Sequence, residues 1–76
     1  MKEVLETIIK SLVEFPEQVN VTEASAEKSI IFEVKVADTD MGKVIGKEGR
    51  IAKSIRTIMQ SLAAKENKKV IVEFVD

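Results

Sequence analysis

Apolar residues recur every three or four positions near the start of the chain, as they do on one face of an amphipathic helix. The stripe in residues 2–14 consists of Val4, Leu5, Ile8, Ile9, Leu12 and Val13. Pro16 follows and cannot simply continue a helix, because it lacks an amide hydrogen and biases Phe15 away from helical angles. The pattern therefore predicts a first helix over residues 2–14.

A second helical pattern occupies the middle of the chain and is interrupted by glycines. Residues 38–40, Asp-Thr-Asp, can accept hydrogen bonds from the free amides of a first turn, so a short helix is expected to start there. We expect it to stop at Gly46, because glycine readily takes the left-handed conformation that ends helices. A longer helix restarts near Gly49 or Arg50 and ends at residues 66–68. Its apolar stripe comprises Ile51, Ala52, Ile55, Ile58, Met59, Leu62 and Ala63.

Alternation of apolar and polar residues predicts three strands. It is clearest over residues 29–37, where one face is formed by Ile30, Phe32, Val34 and Val36. Residues 19–24 alternate weakly, and the small and polar residues 23–29 are expected to form a loop. Residues 69–76 are the last strand, with one face formed by Val70, Val72 and Phe74.

The order helix, strand, strand, helix, helix, strand favours an α+β fold with two layers. A short loop favours an antiparallel first pair of strands. The segment with two helices that connects the second and third strands is long enough for a right-handed crossover, so these two strands are expected to be parallel. The prediction is a three-stranded mixed sheet with the helices on one face. We expect one domain over residues 1–76, with Phe15, Phe32 and Phe74 in its core.

Composition removes several classes of function. The chain has neither cysteine nor histidine, so disulfides, thiolate metal sites and the commonest general base are excluded. No converging pair of carboxylates is evident, and we expect neither an enzyme nor a cofactor, metal or small-molecule substrate. No apolar run approaches the length of a membrane span, so the expected location is the cytoplasm, without membrane contact.

The net charge of −1 conceals an uneven distribution. Residues 1–33 carry three lysines and seven glutamates, whereas residues 34–69 carry nine lysines or arginines and four acidic residues. The basic residues around the glycines are Lys43, Lys47, Arg50, Lys53 and Arg56. A basic patch on an acidic body is typical of nucleic-acid binding, although a solvated helix face carries similar charges.

All three glycines lie within residues 42–49, and two of them enclose Lys47 and Glu48. A corner between two helices with glycines at its tip exposes backbone, and the amides at the start of the second helix add positive potential. A phosphodiester backbone can lie there, with aliphatic side chains holding the bases. A tight turn between packed helices is the alternative. The P-loop pattern does not fit, because three residues rather than four separate Gly42 from Gly46.

The run V-I-G-K-E-G-R-I-A-K, residues 44–53, resembles the signature of a KH domain. Residues 40–56 are similar to the small bacterial KH proteins of the KhpA type, and the element order matches the type II KH topology. The resemblance implies a core motif at about residues 29–76 and an N-terminal extension at residues 1–28. It also implies an RNA chaperone or post-transcriptional regulator that binds single-stranded RNA and is linked to cell shape and peptidoglycan homeostasis. The implied partners are RNA, a second copy of the chain, and a larger RNA-binding protein of the KhpB type.

By the same resemblance, the GXXG loop of residues 46–49 follows the sugar-phosphate backbone of RNA, and aliphatic neighbours line a groove for about four bases. The expected RNA-binding residues are Lys43, Val44, Ile45, Gly46, Lys47, Glu48, Gly49, Arg50, Lys53 and Arg56. Ile31 and Glu33, or their neighbours across the pleat, are candidates for the opposite wall. Glu48 departs from the usual pattern by placing a negative charge in the loop, and Ala52 by being small.

Two other functions remain open at this point. One is a protein-assembly module that does not bind RNA, and the other is a helix-turn-helix binder of double-stranded DNA. Ile58 or Met59 is a candidate dimer surface, since part of the long helical stripe can remain exposed.

Overall fold

The computed structural model describes residues 1–75, with the backbone alone at Lys47 and Glu48. Asp76, the predicted end of the last strand, lies outside the described residues. The elements are α1 (Lys2–Leu12), a 3₁₀ turn (Pro16–Gln18), β1 (Asn20–Ser25), β2 (Ser29–Lys35), α2 (Asp38–Ala64) and β3 (Lys69–Phe74). The α+β class and the order of elements are confirmed, with the two later helices present as two parts of α2. Most predicted boundaries move by one or two residues, which is the usual uncertainty of element ends.

The sheet has the order β1-β2-β3, so β2 is its central strand. β1 pairs antiparallel with β2, with Val21 opposite Val34. β3 pairs parallel with β2, with Ile30 opposite Val70. α2 is the connection between these two parallel strands, as the crossover argument predicts.

The alternation along the strands places one face of the sheet in the core. Ile30, Phe32 and Val34 of β2 are buried there, and the helices cover this face with Leu5, Ile9, Ile55, Met59 and Ala63. Ile31 and Ile71 lie on the other face, where they are 37% and 39% exposed. The prediction that all three phenylalanines are in the core is wrong for Phe15. It is 37% exposed, because it lies after α1, at the entrance to the 3₁₀ turn.

α2 bends at Gly49. A straight helix of its 27 residues would be about 40 Å long, whereas the molecule extends 34 Å along its longest principal axis. Gly49 has φ +69°, a left-handed conformation that interrupts regular helical geometry. The predicted break at Gly46 is therefore wrong by three residues. Despite the length of α2, no helix in residues 1–75 is apolar enough over a sufficient length to cross a membrane.

The two ends of α2 differ in how their backbone groups are satisfied. Asp38, Thr39 and Asp40 were expected to cap the first turn, but Ala37 occupies the cap position and no side chain caps the helix. At the other end, Asn67 has φ +57°, and the amide of Lys68 donates to the carbonyl of Ala63 at 3.0 Å. This is the hydrogen-bond pattern of a Schellman motif, with asparagine in place of the usual glycine.

Candidate nucleic-acid interface

The glycines of α2 form a surface of bare backbone. Among the residues whose side chains are described, none would have a heavy atom within 4 Å of a Cβ atom added at Gly42, Gly46 or Gly49, apart from the adjacent helix backbone and the chain neighbours. The bend requires a glycine at position 49, because of its positive φ. The packing of the described residues does not require one at position 42 or 46. A tight turn between packed helices therefore explains one of the three glycines and leaves two unexplained.

The two aliphatic residues before the loop point in different directions. Val44 is 2% exposed and packs into the protein, so it cannot contact a base directly. Ile45 is 50% exposed and is free to form an apolar wall. Successive residues of a helix are separated by about 100°, so Ile45 and Lys43 lie on opposite sides of α2. Ile31 and Glu33 lie on the exposed face of the sheet, so neither forms a wall beside α2.

The four basic residues of the predicted patch whose side chains are described do not lie on one side of α2. Lys43 contacts Glu14, just beyond α1, with 3.1 Å between the ammonium nitrogen and a carboxylate oxygen. Arg50 also lies on the α1 side, where it lines a groove between the two helices. Lys53 is exposed. The side chains of Lys47 and Glu48 lie outside the described part of the structure.

Arg56 lies on the β3 side of α2. Its Nε donates a hydrogen bond to the carbonyl oxygen of Val72 at 3.1 Å. The guanidinium carbon stands 5.7 Å from the centre of the Phe74 ring, within the range of a cation–π contact. β3 is an edge strand, so the carbonyl group that accepts the hydrogen bond from Arg56 has no neighbouring strand to pair with. Its charge is held against the sheet and still faces solvent.

A hollow of about 460 Å³ lies on the α1 side of the glycines. Its lining residues are Leu12, Thr39, Gly42, Lys43, Gly46 and Ile51. Because glycines form part of the wall, another molecule's backbone can approach α2 closely here. The hollow thus combines exposed helix backbone, one ammonium group and aliphatic carbon.

A larger groove of about 550 Å³ continues along the seam between α1 and the part of α2 after Gly49. It is lined by Thr7, Ile8, Ser11, Leu12, Arg50, Ile51, Ser54, Ile55 and Ile58. Leu12 and Ile58 are 53% and 43% exposed, and Arg50 is the one charged residue among the described residues of this lining. Met59, the other candidate for a dimer surface, is fully buried, so Ile58 alone can serve.

Asp40 and Glu14 lie near the site, but the sequence analysis did not identify them as part of it. Both oxygens of the fully buried Asp40 accept backbone hydrogen bonds, from the amides of Glu14 at 2.9 Å and Phe15 at 3.0 Å. The Glu14 carboxylate in turn contacts Lys43. These contacts join residues 25 to 29 positions apart in the chain, so local sequence patterns carry no signal for them.

Comparison with known proteins gives a consistent result over the whole chain. The family model for the KhpA/KhpB KH domain matches residues 2–74. RNA-binding protein KhpA of Clostridium acetobutylicum is 61% identical over 75 residues, covering 99% of this chain and 100% of the relative. RNA-binding protein KhpA of Clostridium perfringens has the same identity and coverage. That of Chlamydia trachomatis is 47% identical over 76 residues, covering 100% of this chain and 97% of the relative. The chain therefore belongs to the KhpA/KhpB family of KH domains.

Proposed function

We propose that this protein binds single-stranded RNA at the bend of α2, without enzymatic activity. The observation that carries the proposal is the open space above Gly42 and Gly46, two glycines that neither turn geometry nor internal packing requires. A sugar-phosphate backbone is a ligand that needs such close approach to protein backbone. Membership of a family whose named relatives are RNA-binding proteins supports the same function.

In the proposed complex, the RNA backbone crosses residues 46–49, and Lys43, Lys47 and Arg50 supply charge to its phosphates. Ile45 forms the apolar wall for the bases, and Val44 supports it from the core. Lys53 and Arg56 extend the positive charge toward the free edge of β3. Phe32 is fully buried and the Phe74 ring is covered by the Arg56 guanidinium, so base stacking on either ring is not part of the proposal.

Duplex DNA is a weaker candidate ligand. A recognition helix reads the major groove with side chains that project from it, whereas Gly42, Gly46 and Gly49 leave part of the surface of α2 without side chains. A role restricted to protein assembly leaves the open space above Gly42 and Gly46 without a use. Single-stranded RNA accounts for both the bare backbone and the basic residues.

The proposal extends to partners and cellular role. A single groove for about four bases binds weakly, so pairing with a second copy or with a KhpB-type protein would raise affinity through a second site. The apolar groove between α1 and α2 is the surface we assign to this pairing, because it exposes Leu12 and Ile58. We also propose action as an RNA chaperone or post-transcriptional regulator in the cytoplasm, with effects on cell shape and peptidoglycan, on the strength of the resemblance to KhpA-type proteins.

The direct test is binding of a labelled single-stranded RNA of mixed sequence at about 50 mM and about 200 mM salt. The loop variant combines Lys47→Asp with Glu48→Asp. A matched control, Lys65→Asp with Glu66→Asp, makes the same changes to a Lys-Glu pair that lies just after the C-terminal end of α2. We expect the wild type and the control to bind, and the loop variant to bind at least about tenfold more weakly, because a carboxylate replaces an ammonium beside the phosphates.

Affinity of the wild type should fall as salt rises, since neutralised phosphates release counterions. Equal RNA affinities of the loop variant and the control would show that the bend of α2 is not the RNA-binding site. Tighter binding of duplex DNA than of RNA in competition would favour the DNA alternative. Circular dichroism on each variant establishes that loss of binding is not loss of folding.

A further inference from the structure

A carboxylate–lysine contact joins the chain just after α1 to the proposed RNA site. Glu14 places Oε1 3.1 Å from Nζ of Lys43, and the two side chains are 62% and 58% exposed. Lys43 lies about one helical turn before Gly46 and lines the same hollow. The ammonium group of Lys43 is therefore one of the charges at the site, and in the free protein it already forms an ion pair with the carboxylate of Glu14.

The fold itself holds Glu14 at this position. Its backbone amide donates to Oδ1 of Asp40 at 2.9 Å, and the amide of Phe15 donates to Oδ2 at 3.0 Å. Asp40 is fully buried, so water does not compete for these hydrogen bonds. Asp40 and Lys43 are three residues apart on α2 and thus neighbours on its surface. The backbone of Glu14 contacts Asp40 and its side chain contacts Lys43, which lie next to each other on α2. The carboxylate of Glu14 therefore stays beside Lys43.

We propose that Glu14 competes with RNA phosphate for Lys43 and so lowers the affinity of the RNA site. The inference rests on the proposed function and adds to it a residue that limits binding. A carboxylate and a phosphate are both anionic acceptors for the ammonium group of lysine. In the free protein Glu14 neutralises Lys43, and a phosphate must displace it. Exposed ion pairs are weak, so displacement lowers affinity without preventing binding.

The test compares RNA affinities of five proteins at low salt: wild type, Glu14→Gln, Glu17→Gln, Lys43→Gln, and the double variant Glu14→Gln/Lys43→Gln. Glu17→Gln is the matched control, because it removes the same charge from the nearby 3₁₀ turn. Glu17 forms no ion pair among the residues whose side chains are described. The Glu14→Gln variant keeps the backbone amide that donates to Asp40, so its thermal stability should stay close to that of the wild type.

We expect Glu14→Gln to bind RNA about two- to fivefold more tightly than Glu17→Gln, which is the range of an exposed ion pair. The gain should vanish in the Lys43→Gln background, because Glu14 acts through Lys43. It should also shrink as salt screens the pair.

Equal affinities for the two glutamine variants would overturn the inference, as would a gain that persists without Lys43. In either case the proposed function stands as long as the wild type binds and the loop variant binds at least about tenfold more weakly. Absence of RNA binding by the wild type would instead overturn both.

Discussion

At the residue scale, the three glycines of α2 are not equivalent. Gly49 has φ +69°, where contact between the Cβ of an L-amino acid and the backbone costs about 1–2 kcal/mol. Gly42 and Gly46 have ordinary helical backbone, and a Cβ atom on either would meet open space. The same substitution should therefore have opposite effects on stability at two positions, Gly42 and Gly49, that lie in one helix.

We predict that Gly42→Ala raises the free energy of unfolding by about 0.5–1 kcal/mol, because alanine is the better helix former and loses less backbone entropy. Gly49→Ala should lower it by about 1–2 kcal/mol through strain at positive φ. Urea denaturation followed by circular dichroism measures both. A loss of stability in Gly42→Ala would show that something inside the protein packs against position 42.

At the element scale, α1 and α2 are connected through Asp40 as well as through apolar contacts. α1 ends at Leu12, and the chain then turns away, leaving the amides of Glu14 and Phe15 without helical partners. The Asp40 carboxylate accepts both and is fully buried in doing so. An acceptor that serves two donors with two separate oxygens must be a carboxylate, because the amide group of asparagine has one acceptor atom.

We predict that Asp40→Asn lowers the free energy of unfolding by about 1–3 kcal/mol, because the buried side chain would then present an NH₂ group to one of the two partly buried backbone amides. The control is Asp38→Asn, which alters an exposed carboxylate in the same helical turn. Its effect should stay within about 0.5 kcal/mol. Urea denaturation of the two variants makes the comparison, and equal losses would show that the two hydrogen bonds to Asp40 contribute nothing specific.

At the scale of the whole molecule, all helices cover one face of the sheet, so the exposed apolar surfaces differ between the two sides. On the helical side, Leu12 and Ile58 flank the groove between α1 and α2. On the other side, Ile31 and Ile71 lie in register on the open face of the sheet. The groove is concave and adjoins the glycines, and for these reasons we assign the pairing of two copies to it.

We predict that the wild type dimerises and that Ile58→Glu raises the dissociation constant at least about tenfold, because an unpaired carboxylate would be buried in the interface. Ile71→Glu is the matched control, since Ile71 is 39% exposed against 43% for Ile58 and lies on the opposite side of the sheet. Sedimentation equilibrium gives the three dissociation constants. A monomeric wild type, or equal weakening by both variants, would rule out this groove as the dimer surface.

The elements and their faces could be predicted from the sequence because periodicity is a local property. Alternation in β2 predicted which side chains are buried, and the crossover rule predicted that β3 runs parallel to it. The position of the bend in α2 was predicted to within three residues, but the sequence did not indicate which glycine forms it. Gly46 and Gly49 can both take positive φ, so the local sequence does not distinguish between them.

The sequence by itself determined the α+β fold, the core face of each strand and the place of the glycines between two helical stretches, since each depends on neighbours in the chain. Tertiary structure alone decided how the polar residues near them are used. In the folded protein, Asp40 accepts hydrogen bonds from Glu14 and Phe15 instead of capping α2. Lys43 forms an ion pair with Glu14, and Arg56 donates to the carbonyl of Val72. Each of these contacts joins segments distant in sequence, so which polar groups meet depends on how the helices pack against each other and against the sheet.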